Sequence, residues 1–222
     1  YTDENNIIAW HYDHSKSRSL KGVNILNCIY HNERGTVPTA FEIIKKDIVV
    51  TDPKTGKDRR QSSITKNELF RNMFNISLKN KIKFKYTLAD IWFSSKENMN
   101  HVVEHGKYFI FAVKGNRLVA LSERDKLKGN FKNLESLKSE KNGTIQCYFK
   151  GMDFPCLIVK QVFKNKDGST GVLYLATSDI DLDVTDEVDA DQDNDLDVDN
   201  DEDVEAETGD NDADDNTGGD VS

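Results

Sequence analysis

Residues 84–113 read FKYTLADIWFSSKENMNHVVEHGKYFIFAV, and the succession of patterns in this stretch decides the fold. Phe84 to Ala89 is a short strand-like run that ends at Asp90. Ser94 and Glu97 have the spacing of a capping box, which opens a helix running to about Glu104 and closed by His105 and Gly106. Tyr108 to Val113 is a second apolar run of strand length. Strand, helix and strand within about 30 residues make a βαβ unit, so the two strands are expected to pair in parallel through a right-handed crossover. Sites in α/β sheets lie just beyond the carboxyl ends of the strands, and Asp90 stands there.

On the N-terminal side, the runs Val23 to His31 and Thr36 to Ile44 flank a turn at Asn32 to Gly35 and predict a hairpin. Residues 49–63 hold few apolar side chains around Asp52, Pro53 and Gly56 and are expected to be an exposed basic loop. Thr65 and Glu68 form a capping box ahead of Leu69, Met73, Phe74 and Leu78 at helical intervals, predicting an amphipathic helix over 65–78. On the C-terminal side, 126–139 is basic and weakly helical. The runs 144–149, 156–163 and 172–176 alternate as strands, with a hairpin turn at 166–169. These strands are expected to form an antiparallel addition beside the α/β unit.

Charge divides the chain. Of its 39 Asp and Glu, 21 lie in 179–222, where no Lys or Arg occurs, so residues 1–178 carry the remaining 18 acids against all 30 bases. The net −9 therefore joins a body of about +12 to a tail of −21. Valines and leucines stand singly among the tail carboxylates, so residues 180–222 are expected to be disordered. Asp191, Asp193, Asp195, Asp197, Asp199 and Glu202 match the oxygen positions of a calcium loop. Leu196 occupies the position that needs Gly, which favours a polyanion with weak cation affinity. Cys28, Cys147 and Cys156 form no CxxC pair and predict free thiols in a reducing, cytoplasmic setting. No apolar run approaches the ~20 residues of a membrane span. The chain opens at Tyr1 without a signal sequence, which suggests a fragment.

Three groups of side chains are candidates for chemistry. Asp90 has two readings: a Mg²⁺ ligand, since hard cations prefer carboxylate oxygens, or a helix-entry residue whose carboxylate accepts backbone N–H groups. His11, Asp13 and His14, with His31 downstream, have the residue types of a transition-metal site but fit no standard spacing, which favours ordinary polar surface. Lys16, Arg18, Lys21, Arg59, Arg60, Lys114 and Arg117 are the basic residues expected to contact the phosphates of a nucleic acid. A merely solvated lysine-rich surface is the alternative.

Three blocks carry a family resemblance: HYDHSK at 11–16 with KGVN at 21–24, LADIWFSSKENM at 88–99, and FIFAVKGNR at 109–117. In this order they resemble bacterial insertion-sequence transposases with a DDE catalytic domain, over about residues 1–179. The resemblance implies an RNase H-like α/β domain, in which flanking helices cover a mixed sheet and a β insertion at about 140–178 precedes the last catalytic helix. It also implies binding of transposon-end DNA, a homodimer in intact members, and two Mg²⁺ ions held by two Asp and one Glu for strand cleavage and transfer. Asp90 matches the second Asp. The first Asp belongs to a strand ahead of Tyr1. The Glu belongs to a helix with a Tyr, Arg, Glu and Lys signature, where this chain turns acidic instead. The expectation is a transposase-derived chain truncated at both ends and catalytically incomplete. Its first strand is missing and the strand at 84–90 is left with an unpaired, buried edge. A non-enzymatic nucleic-acid-binding remnant with an autoinhibitory or cation-binding tail is the alternative.

Overall fold

The computed structural model describes residues 3–13, 16–137, 143–165 and 167–184. The expected acidic tail falls almost wholly outside them. The chain is mixed α/β, with one large mixed sheet, three two-stranded ribbons and few helices.

The ribbons come first. Strand β1 (Ala9–Asp13) pairs with β2 (Arg18–Gly22), β3 (Ile25–Asn32) with β4 (Gly35–Ile43), and β5 (Ile48–Thr51) with β6 (Asp58–Gln61), all antiparallel. The β3–β4 hairpin is where the turn chemistry at 32–35 put it. Residues 49–63, expected as a loop, instead form β5–β6. Ile48, Val49 and Val50 are β-branched and suit a strand. The Asp52 side chain organises the turn by accepting from Lys54 N (2.8 Å) and Thr55 N (3.0 Å), and Gly56 supplies the left-handed φ of +66°.

Helix α1 (Lys66–Lys79) begins at the expected capping box: Glu68 N donates to Thr65 Oγ1 (3.2 Å) and Thr65 N to Glu68 Oε2 (2.8 Å). One face of α1 holds the β3–β4 hairpin, with Ser77 Oγ 3.3 Å from Thr39 Oγ1 and 3.7 Å from Cys28 Sγ. The other face sends Phe70 and Phe74 into the main core.

Strand β7 (Tyr86–Ala89), helix α2 (Lys96–Glu104) and strand β8 (Tyr108–Val113) form the βαβ unit, and β7 and β8 pair in parallel as expected. The helix cap lies one residue later than the sequence suggested. Ser95 receives Asn98 N (3.2 Å), while Ser94 Oγ turns back to Ile91 O (2.8 Å) to close a 3-10 turn over Ile91–Phe93. Strand β9 (Leu118–Ala120) follows; of the stretch 126–139, read as weakly helical, the described residues form the end of a short helix α3 (Glu123–Leu127), strand β10 (Lys132–Asn133) and a 3-10 turn over Leu134–Ser136. Gly129, at φ +71°, ends α3 after little more than one turn.

Strands β11 (Thr144–Phe149), β12 (Cys156–Lys164) and β13 (Thr170–Thr177) form the expected antiparallel addition. Strand β13 hydrogen-bonds directly to β8, giving one seven-stranded sheet in the order β10-β9-β11-β12-β13-β8-β7. The β12–β13 turn contains residue 166, which lies outside the described residues. Phe109, Phe111 and Val113 alternate onto one face of β8 and are buried with Phe149, Ile158 and Ala176 beneath α1 and α2. The Phe70 and Phe111 rings meet edge to face at 5.8 Å. Cys147 and Cys156 face each other across β11–β12 as buried free thiols. Burial pushes the Cys147 thiol up to about 12 and that of Cys156 higher still, so both are inert.

Strand β7 ends the sheet order, so its outer edge is unpaired among the described residues. That edge is open, as expected, but it is not uniformly buried. Leu88 is 70% exposed, while the buried Thr87 Oγ1 has no hydrogen-bond partner among the described residues.

Candidate functional site

Asp90 leaves β7 at its carboxyl end, exposed, and its Oδ1 accepts Trp92 N at 2.9 Å. The helix-entry role is thus fulfilled: the carboxylate caps the 3-10 turn over Ile91–Phe93. Trp92, 63% exposed, lies beside it with Lys66 Nζ 5.9 Å from its ring centroid. Among the described residues no group of three or more His, Cys, Asp or Glu is placed to hold a metal ion. A two-metal centre needs several carboxylates from different elements, so the described residues do not fit a Mg²⁺ pair.

The histidines of the second candidate group are separated. His11 Nδ1 lies 3.5 Å from Asn24 Nδ2 and its buried Nε2 has no hydrogen-bond partner among the described residues, whereas His31 Nδ1 is 2.7 Å from Thr36 Oγ1 on another hairpin. Burial, with Lys46 and Lys66 nearby, lowers the His11 pKa and favours the neutral ring. Asp13 is paired with Lys16 at 3.8 Å, and His14 lies outside the described residues. The described members do not assemble into a metal site.

The basic candidates divide by location. Lys16, Arg18 and Lys21 are exposed on the β1–β2 ribbon, Arg59 is exposed on β6, and Lys114 is exposed just past β8. Arg60 is half-buried, donating to Asn6 Oδ1 (3.1 Å) and lying 3.8 Å from Glu4. Arg117 turns inward. Its Nη1 donates to Ser94 O (2.8 Å), its guanidinium carbon is 5.0 Å from the Phe149 ring centroid, and burial lowers its pKa. It ties the start of β9 to the approach to α2, a structural use that a count of basic residues does not reveal.

Two further groupings escaped the sequence reading. A cleft of about 390 Å³ opens between the β1–β2 and β5–β6 ribbons, lined by Glu4, Trp10, Lys46, Val49, Asp58, Arg59 and Arg60. The alternation of aromatic residues at Trp10 and Tyr12 on one face of β1 was its available signal. At the amino end of β7, Asp179 is buried and accepts from Tyr86 Oη (2.6 Å) and Lys85 Nζ (2.9 Å). Those hydrogen bonds, Tyr86 first and Lys85 second, hold its carboxyl below the usual range, and the Tyr86 and Asp179 contacts raise Lys85.

No protein-family model matches the chain, and no curated protein matches its sequence. No helix among the described residues is long and apolar enough to cross a membrane.

Proposed function

We propose that this chain is a DNA-binding domain of DDE-transposase ancestry that does not by itself complete the catalytic centre for strand cleavage. The observation that carries this reading is Asp90 at the carboxyl end of β7, in a parallel βαβ unit, exposed and beside Trp92. That is where α/β sheets hold reactive groups, and it is the residue that the resemblance equates with a catalytic Asp. An RNase H-like arrangement accords with a mixed sheet in which the β7–β8 pair is parallel and its neighbours antiparallel. Exposed cations on β2, β6 and after β8 supply phosphate contacts. Mg²⁺ affinity is weak in this reading, because a lone carboxylate engaged in capping holds a hard cation poorly.

The test is duplex binding and nicking of transposon-end DNA by the full chain with Mg²⁺. Binding that weakens steeply with salt, with no nicking, is the expected result. Nicking that disappears in Asp90→Asn would overturn the claim of incompleteness, and absence of any DNA binding would overturn the reading itself. The charge division between body and tail supports a second element, autoinhibition. Removing residues 185–222 should then raise DNA affinity at low salt, and an unchanged affinity rejects it.

A further inference from the structure

The β1–β2 ribbon presents more than charge. Trp10 and Tyr12 are two residues apart on β1, so they stand on the same face, and they are 53% and 52% exposed. Lys21 is directly opposite Trp10 in the antiparallel register and shares that face. From Trp10 the surface continues into the 390 Å³ cleft toward Arg59 on β6, a volume within the range of small-ligand sites.

The charges lining the cleft do not cancel. Glu4 lies 3.8 Å from Arg60, and Asp58 accepts from Thr51 Oγ1 at 2.7 Å, so both acids have local partners. Lys46, Arg59 and Arg60 outnumber the two carboxylates of the lining, so the cleft carries one net positive charge. Lys46 Nζ also donates to Trp10 O (2.7 Å), which fixes the ring's strand against the cleft wall. With the Gln61 amide oxygen turned toward it, Arg59 donates Nε and Nη2 at 3.1 and 3.0 Å, an arrangement that holds the guanidinium in place on the strand.

Ring spacing selects the ligand. Residues two apart on a strand are separated by about 6.6 Å. Bases in a duplex rise about 3.4 Å per nucleotide on each strand. Trp10 and Tyr12 therefore cannot both stack on adjacent duplex bases, but they suit an unstacked single strand whose bases splay onto separate aromatic platforms. We propose that the Trp10 and Tyr12 face of the β1–β2 ribbon binds single-stranded nucleic acid, stacking successive bases on the two rings and directing a phosphate into the cleft toward Arg59. This rests on the nucleic-acid-binding reading above and adds to it a surface that prefers single strands.

The experiment uses the full chain at low salt with a labelled oligo-dT of about twelve nucleotides, a labelled duplex, and AMP as competitor. Trp92→Phe leaves Trp10 as the sole tryptophan, and its emission should be quenched by the oligo-dT. Trp10→Ala should weaken oligo-dT binding about fivefold or more while changing duplex affinity less than about twofold, and Arg59→Gln should weaken oligo-dT binding as well. Trp10→Phe should retain most of the affinity, which separates loss of stacking from loss of fold. Unchanged oligo-dT affinity in Trp10→Ala, equal loss for strand and duplex, or AMP competing as well as the oligonucleotide each overturns the proposal. Duplex binding without oligo-dT binding overturns this surface alone, whereas failure to bind either overturns the nucleic-acid reading as well.

Discussion

Replacing Arg117 by Met separates two accounts of the same residue, because the aliphatic volume is kept while the guanidinium is removed. The change deletes the 2.8 Å bond to Ser94 O and the contact with the Phe149 face at 5.0 Å. A hydrogen bond from a charged donor contributes about 1.5–3 kcal/mol, and a partly desolvated cation–π contact about 1 kcal/mol. Burial of the guanidinium, visible in its lowered pKa, offsets part of this, since removing a buried charge recovers its desolvation cost. The expected net loss is about 2 kcal/mol. With a urea m-value of about 2 kcal/mol/M, that lowers the unfolding midpoint by about 1 M. The variant should meanwhile bind duplex DNA as the parent does under conditions where both are folded, whereas Lys21→Ala, on the exposed face of β2, should weaken binding and reduce the salt slope by about 1. A midpoint shift below about 0.2 M together with a severalfold loss of DNA affinity would refute the inward role.

Phe111→Ala, at a fully buried position touching Phe70 and Phe109, should cost about 3–5 kcal/mol in urea unfolding. Asp179 has a lowered folded pKa, so its stabilisation is present above the ordinary carboxylate value and is lost as pH falls through the lowered one; Asp179→Asn should flatten the acid limb of the stability profile below about pH 4. His101 is likewise lowered, chiefly by burial and then by His105 and Arg71, with Glu104 opposing. Its contribution is complete above about pH 6.5 and declines as pH falls, and His101→Gln should remove that slope in midpoints measured from pH 7 to 5. Asp90→Ala should cost about 0.5–1 kcal/mol as a lost cap, and ~10 mM Mg²⁺ at matched ionic strength should stabilise the parent by no more than about 0.4 kcal/mol, the value for a Kd near that concentration.

Where local chemistry was sufficient, the sequence was readable. Thr65 and Glu68 satisfy each other across one turn, so their spacing alone located α1, and Tyr108 to Val113 is continuously apolar because both faces of β8 are at least partly covered. Ser94 misled by one residue because two serines are adjacent and the 3-10 turn over Ile91–Phe93 uses the first of them. The β5–β6 ribbon was hidden by Arg59 and Arg60, whose strand conformation comes from cross-strand pairing with Val50 and Val49 and not from propensity. The site was less legible than the fold. Asp90 could be located at a strand end and its local cap anticipated, but the inward turn of Arg117 and the proximity of Trp10 to Arg59 depend on tertiary placement.

Asp179 shows why the charge division must be drawn by contacts and not by composition. In the sequence it opens the run of 21 acids. In the fold it is compensated: Tyr86 and Lys85 converge on one of its oxygens, and Lys85 Nζ also lies 4.7 and 5.2 Å from the Tyr86 and Tyr108 ring centroids. An unpaired carboxylate at a buried position would be costly, so this network is needed where the chain leaves β13 and Asp179 reaches the amino end of β7. The same network removes Lys85 from the cations able to meet phosphate, as Asp13 does in part for Lys16 and Asp153 for Lys126. Asp13 and Asp153 are already inside the formal +12 of residues 1–178, whereas counting Asp179 with the body lowers it to +11. On the DNA-binding reading proposed above, the exposed Arg18, Lys21, Arg59 and Lys114 are the side chains placed to meet a polyanion.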